Sequence, residues 1–372
     1  MQGKYDLTYY SAFRKILVFI VGVYKMRYFN NDYNEVCHPA ILSAFAENAS
    51  VQMPGYSEDT CCREAAELIR KKCDAPNAAV HFLVGGTQTN LTVIAAALRP
   101  HQGVIAAESG HISVHETGAI EATGHKVITL PSKDGKVDPA LAKKVVENQS
   151  RSVDAEHIVQ PKMIYISNPT EYGTLYSLAE LQELSALCKE KGLFLFVDGA
   201  RMGYGLAAKG NDITLADYAE YSDAFYIGGT KVGAMFGEAV VIPNPAIAED
   251  FRYLMKQRGG MLAKGWLLGL QFKTLFENDL YFAISAHADQ MADKLRKALT
   301  DLGYALYLPG TTNQVFVTLP DKLLNELGEE FTFAVWEKPD EKHTTVRFCT
   351  SWATTDENVD ALCAALKNLS KC

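Results

Sequence analysis

At 372 residues and a formal net charge of −8, the chain exceeds what one compact core usually takes. Its 48% hydrophobic and 22% charged residues describe a globular protein, and no basic stretch is available to neutralise phosphates, which excludes a nucleic-acid partner. Eight cysteines show no CxxC pair and no zinc spacing, so reduced, buried thiols in a cytosolic protein are the simplest account.

Residues 15–24 form a short apolar run behind a basic lead-in, too short for a membrane-spanning helix and without a small-x-small cleavage site after it. Residues 1–26 are therefore assigned to an N-terminal extension, with Met26 the expected functional start. Residues 27–60 are loop-rich with polar and aromatic side chains, apart from a helix expected over 39–46. A helix over 61–73 follows.

Strands and helices then alternate. Apolar runs of strand length occupy 79–84, 103–107, 126–130, 163–167, 193–197 and 223–228. The helix expected over 88–98 follows the turn Gly85-Gly86-Thr87, and the one over 177–191 opens on a Ser177/Glu180 capping box and closes at Gly192. Doubly buried strands separated by helices predict an α/β domain with a mostly parallel sheet over 27–250. From there to 372 the pattern is α+β. A helical stretch at 247–275 broken at Gly259-Gly260 and a helix at 280–302 lead it. Strands are expected at 305–308, 314–318, 331–337 and 345–349, with helices at 320–327 and 356–369.

Open α/β sheets gather ligands at the C-terminal ends of their strands. Residues at those ends are Gly85-Gly86-Thr87, Glu108-Ser109-Gly110-His111, Ser167-Asn168-Pro169-Thr170-Glu171, Asp198-Gly199-Ala200-Arg201 and Gly228-Gly229-Thr230-Lys231. They supply a helix N-terminus for a phosphate, an imidazole, a carboxylate, a guanidinium and a lysine. That is the set pyridoxal 5'-phosphate requires, with the lysine as Schiff-base anchor and the carboxylate keeping the pyridine nitrogen protonated. Rival readings fail on residues. Gly85-Gly86-Thr87-Gln88-Thr89-Asn90 is not GxGxxG, no P-loop occurs, and His111 and His115 lack the HExxH order a zinc hydrolase needs.

The ordered segments 82–90, 109–118, 197–201 and 227–231, with Asn31-Asp32-Tyr33, residues 54–59, Gly259-Gly260-Met261 and Val346-Arg347-Phe348, resemble the low-specificity threonine aldolases of the β-eliminating lyase group. The resemblance spans residue 28 to the C-terminus. It implies a fold-type I architecture, with a mostly parallel seven-stranded sheet flanked by helices and a smaller α+β domain over 251–372. It also implies Lys231 as the Schiff-base lysine, Asp198 on the pyridine nitrogen, His111 against the cofactor ring, and Gly86 and Thr87 on the phosphate. Arg201 and Arg347 would take the substrate carboxylate, with Arg201 also beside the cofactor. Asn31 would line the substrate site, and Tyr56 would enter a neighbouring subunit's site in a homodimer or homotetramer. The expected reaction is cleavage of threonine or allo-threonine to glycine and acetaldehyde in the cytoplasm.

Departures from the pattern keep other readings open. The middle-strand segment 167–173 lacks the histidine usual there, leaving Glu171 or Tyr172 in its place, so the base is His111, Glu171 or a water they position. Leu262 stands where an arginine is usual, between Arg258 and Lys264, and Val-Gly-Ala-Met-Phe-Gly follows Lys231. β-Elimination or transamination of another amino acid is the alternative chemistry. A non-enzymatic protein that kept only the fold is the third reading, and the intact Lys231 and Asp198 argue against it.

Overall fold

Short strands buried on both faces need neighbours on both edges, and a seven-stranded sheet supplies them. The computed structural model describes residues 26–371, so the extension expected over residues 1–26 lies, apart from Met26, outside the described residues. The strands are β1 (Ala79–Leu83), β2 (Gln102–Ala107), β3 (Val127–Leu130), β4 (Gln160–Ser167), β5 (Phe194–Asp198), β6 (Ala224–Gly228) and β7 (Glu238–Ile242). Their order across the sheet is β1-β7-β6-β5-β4-β2-β3. From β6 through β5, β4 and β2 to β3 every pair is parallel, whereas β7 runs antiparallel to both β6 and β1.

Alternation along each strand sends side chains into two cores. Leu195, Val197, Phe225 and Ile227 pack on one face, and Phe196, Tyr226, Met163 and Tyr165 on the other. The expected helix at 177–191 forms as Leu178–Lys191, with Ser177 and Glu180 in a reciprocal capping box and Gly192 left-handed at φ 64°.

A third core joins Leu295, Val317, Phe348 and Leu362 with Phe29. It lies under an antiparallel sheet of β8 (Gln314–Pro320), β9 (Ala334–Glu337) and β10 (His343–Cys349), ordered β9-β10-β8. The start of the described chain returns to this half: Arg27–Tyr28 pairs parallel with Phe331–Thr332, and Cys349 N–H donates to the Phe29 carbonyl at 2.7 Å.

Several elements differ from expectation. No strand forms at 305–308; a single bridge pairs Leu306 with Val317 before Pro309-Gly310 turns the chain away. The stretch 247–275 is three helices, Pro245–Ala248, Phe251–Gln257 and Trp266–Glu277, because Asp250 (φ 56°) and Gly259 (φ 73°) are left-handed and cannot continue a right-handed helix. The run at 331–337 divides in two at Phe333. Strand β7 and the helices Pro139–Arg151, Met202–Ala207 and Leu215–Tyr221 are additional to those expected.

Helix Trp266–Glu277 lies against helix Thr60–Lys72 with almost no gap at Gly269. A Cβ there would sit 2.5 Å from Cys62 Sγ and 2.6 Å from Cys62 Cα. Gly269→Ala is expected to destabilise the fold by about 1–3 kcal/mol through overpacking. Chemical denaturation checks this, and an unchanged midpoint would contradict the packing described.

Candidate active site

The edge of the sheet where the parallel strands end carries a cavity of about 250 Å³. Gly86, Thr87, His111, Glu171, Asp198 and Lys231 line it, together with Tyr33, Gly85, Tyr226, Thr230 and Glu238. Each arrives for a local reason. Helix Gly86–Ala97 starts on Gly85 without a side-chain cap, so its first N–H groups are left for a ligand. Gly86 leaves space here, since a Cβ would stand 3.1 Å from the Tyr226 hydroxyl oxygen and press on it. Lys231 leaves β6 after a Gly-Gly-Thr turn.

Asp198 ends β5 and is 4% exposed. Four donors meet its carboxylate: the hydroxyls of Tyr165 and Tyr226, the Asn90 amide at 3.1 Å and the Ala200 N–H at 3.0 Å. Burial opposes its charge, but the His111 ring, the two phenols and the Ala200 N–H outweigh that and hold it below the usual carboxylate range. Burial and the Asp198 charge push both phenols well up, so they remain protonated donors.

His111 opens the short helix after β2, and its Nδ1 lies 2.7 Å from Glu116 Oε1. The Asn90 amide also donates to Glu116 Oε1, at 2.7 Å. Asn90 thus bridges Glu116 and Asp198 behind the histidine. Burial disfavours a charged ring, yet the Glu116 hydrogen bond and the Glu171 and Asp198 charges raise the His111 pKa overall, against Lys231. Lys231 itself is drawn below its ordinary range, first by burial and then by Arg201, while Asp32, Glu171 and Asp198 oppose the shift. Burial pushes the Glu238 carboxyl up to about 8 despite donors from Thr230 and Gly229.

Four expected residues lie elsewhere. Arg201 is buried in a bidentate pair with fully buried Asp32, through Nε at 2.7 Å and Nη2 at 2.9 Å, and Asn313 donates to the same carboxylate at 2.9 Å. Its fork is filled within the chain. Asn31 accepts the Tyr33 N–H in a local turn. Arg347 donates to Gln314 Oε1 and the Asn30 carbonyl, both at 3.2 Å, and its buried Nε has no partner. It lines an adjoining cavity of about 610 Å³ with Tyr172, His115 and Trp336. Tyr56 is 44% exposed with φ 60°, beside Lys256 on a separate surface cavity of about 550 Å³.

Asn90, Glu116, Tyr165, Tyr226 and Glu238 were not singled out by the sequence reading. A signal existed for Asn90: it is a polar residue in the first turns of a helix whose following residues are mostly apolar, Leu91-Thr92-Val93-Ile94. The free helix N-terminus, the space that Gly86 leaves, the buried Asp198 and the desolvated amine fit pyridoxal phosphate.

The family model described as beta-eliminating lyase matches residues 36–322. The low specificity L-threonine aldolase of a Pseudomonas species is 29% identical over 345 residues, covering 91% of this chain and 96% of that protein. The corresponding protein of Escherichia coli K12 is 28% identical, over 71% of this chain and 75% of its own. A solved Leishmania major threonine aldolase superposes with a TM-score of 0.90 at 46% identity, covering 92% of this chain and 99% of that one. Thermus thermophilus aspartate aminotransferase shares the fold, with a TM-score of 0.70 at 16% identity.

Because Glu116 holds the His111 proton, Glu116→Gln is expected to make the ring titrate at lower pH than in the parent protein. NMR titration of the imidazole resonances measures this, and an unmoved His111 curve would refute the assignment.

Proposed function

We infer that this chain, which belongs to the beta-eliminating lyase family, is a pyridoxal-phosphate-dependent carbon–carbon lyase. It cleaves the Cα–Cβ bond of β-hydroxy amino acids, with threonine or allo-threonine giving glycine and acetaldehyde. The observation that carries this is a single cavity lined by Lys231, Asp198, His111 and the start of helix Gly86–Ala97. The threonine aldolases of similar sequence and structure support the choice of bond.

When bound, the cofactor supplies an electron sink for the pair left on Cα. Lys231 would anchor it covalently, Asp198 would face its ring nitrogen, His111 its ring, and Gly86 and Thr87 its phosphate. Lys231 suits this role because burial and Arg201 favour its uncharged amine. We assign the β-hydroxyl proton to Glu171, which lines the cavity near the Ser167 hydroxyl. His111 suits proton retention better, since Glu116 favours its charged form. The proton taken from the hydroxyl balances the one Cα must gain to leave as glycine. Carboxylate recognition falls to Arg347 ahead of Arg201, because Asp32 already fills the Arg201 fork.

We further propose a cytoplasmic homodimer or homotetramer in which Tyr56 serves a neighbouring subunit's site; its exposure on an apolar-lined surface cavity supports this. Among the described residues no helix is long and apolar enough to cross a membrane. The division into 27–250 and 251–372 is likewise proposed. It is supported by the separate third core, with helix Leu280–Asp301 contributing to both halves.

Purified protein is expected to show a visible cofactor band and to release acetaldehyde from L-threonine. Lys231→Ala should lose both band and turnover. 2-Oxobutanoate from L-threonine, or pyruvate from L-serine, would favour β-elimination, an alternative raised by Glu171-Tyr172 in the middle-strand segment. Glu171→Gln should lower kcat by about 10²–10⁴-fold while keeping the band. Steady-state kinetics read this, and a variant with undiminished kcat would remove Glu171 from the reaction.

A further inference from the structure

Glu238 begins β7, level with Gly228 on β6 and Leu83 on β1. Its carboxyl is buried and lines the Lys231 cavity. Oε2 accepts the Gly229 N–H at 3.0 Å and Oε1 accepts the Thr230 hydroxyl at 2.8 Å. Thr230 Oγ1 in turn accepts the Gly237 N–H at 3.0 Å. These bonds close a small ring of contacts around the two residues that immediately precede Lys231. Both donors to the carboxyl are neutral.

The ionisable groups facing Glu238 are few. Lys231 faces it from the turn, Asp198 from the end of β5, Tyr226 from β6, and Tyr281 from helix Leu280–Asp301. On the other sides Leu83 occupies the paired position on β1, and helix Trp266–Glu277 brings Leu268 and Phe272 against the adjacent Gly237. His111, Glu171 and Tyr33 line the same cavity, and away from it the packing is apolar, so a charge on Glu238 acts on the neighbouring Lys231 through a poorly screening medium.

We propose that Glu238 is a positioning residue for Lys231: its carboxyl fastens the Gly229–Thr230 turn, and its charge tunes the protonation of the nitrogen that Lys231 brings to the cofactor. The inference rests on Lys231 being the cofactor's anchor. Burial favours the neutral Glu238 carboxyl, while Lys231 and the Thr230 and Gly229 donors favour its ionised form. Ionised, it favours a protonated Lys231 nitrogen; neutral, it does not. The two titrations are therefore linked and belong to the pair.

The test is a pH titration of the visible absorbance of the holoenzyme. Glu238→Gln keeps an acceptor for Gly229 and a polar partner for Thr230 but removes the charge. Its midpoint should fall by about one pH unit relative to the parent protein. Thr230→Val, which deprives Oε1 of its donor, should push the carboxyl further up, keep it neutral longer and move the midpoint down as well. Thr230→Ser should match the parent protein. If the Glu238→Gln and Thr230→Val curves both superimpose on the parent curve, the proposal is overturned. Should Glu238→Gln fail to fold or load, Thr230→Val decides alone. A Lys231→Ala protein that keeps the same pH-dependent band would instead overturn the anchor assignment beneath it.

Discussion

Burying a carboxylate sets the first condition on this site. An ion taken out of water loses several kcal/mol of solvation unless donors replace it, and Asp198 has four. Their arrangement follows from strand alternation. Tyr165 on β4 and Tyr226 on β6 share a sheet face, and β5 lies between those strands, so both phenols reach the carboxylate that ends β5. Asn90 supplies a third donor from the first turns of helix Gly86–Ala97 and carries the network on to Glu116 and His111. The helix that would hold a phosphate is thereby tied to the carboxylate that would face a ring nitrogen.

The second condition is charge balance. Asp32, Glu116, Glu171, Asp198 and Glu238 all lie in or behind the cavity, against Arg201, Lys231 and the His111 ring. Arg201 is committed to Asp32, whose position depends on the early chain returning to pair with Phe331–Thr332 and to meet Asn313. Neutralising Asp32 in this way leaves Lys231 as the amine whose charge the remaining acids influence. A buried pair of this kind loses about 3–5 kcal/mol when one partner is removed. Arg201 and Asp32 thus join segments 169 residues apart in sequence beside the Lys231 amine.

How much of this was legible in the sequence depends on which way each strand runs. Residues at the C-terminal ends of parallel strands could be collected from apolar runs alone, and Gly86, Thr87, His111, Glu171, Asp198 and Lys231 do share one cavity. Glu238 could not be collected that way. It begins an antiparallel strand, so the site edge meets that strand at its start. Glu116 lies in an irregular segment, and its contacts with His111 and with Asn90, 26 residues away, give it a role that no apolar run foretells. Asn31, Tyr56 and Arg347 rested on family resemblance, and Arg201 on its place after β5 as well; their surroundings in a single chain are a turn, an exposed surface and an adjoining cavity, and for Arg201 an internal ion pair. The missing strand at 305–308 has a simpler origin: an apolar run predicts burial, but a ladder also needs a partner in register, and only Leu306 finds one.

The arrangement of the two neighbouring cavities bears on which bond is broken. Glu171 lines the cavity that holds Lys231, and the next residue, Tyr172, lines the one that holds Arg347. His111 and His115 bridge the same boundary, with ring centroids 5.6 Å apart. A substrate whose carboxylate is drawn towards Arg347 and whose nitrogen is drawn towards Lys231 would cross this boundary beside Glu171. A carboxylate there would be within reach of a hydroxyl on the carbon next to Cα, as proposed above. Removing a proton from Cα itself would need a base on the Lys231 side, where the uncharged Lys231 amine is at hand and the two carboxyl groups are engaged by four donors and by two. Which bond opens would then depend on which base meets the substrate first: Glu171, held by the Ser167 hydroxyl at 3.5 Å, from the β-carbon side, or the Lys231 amine from the α side.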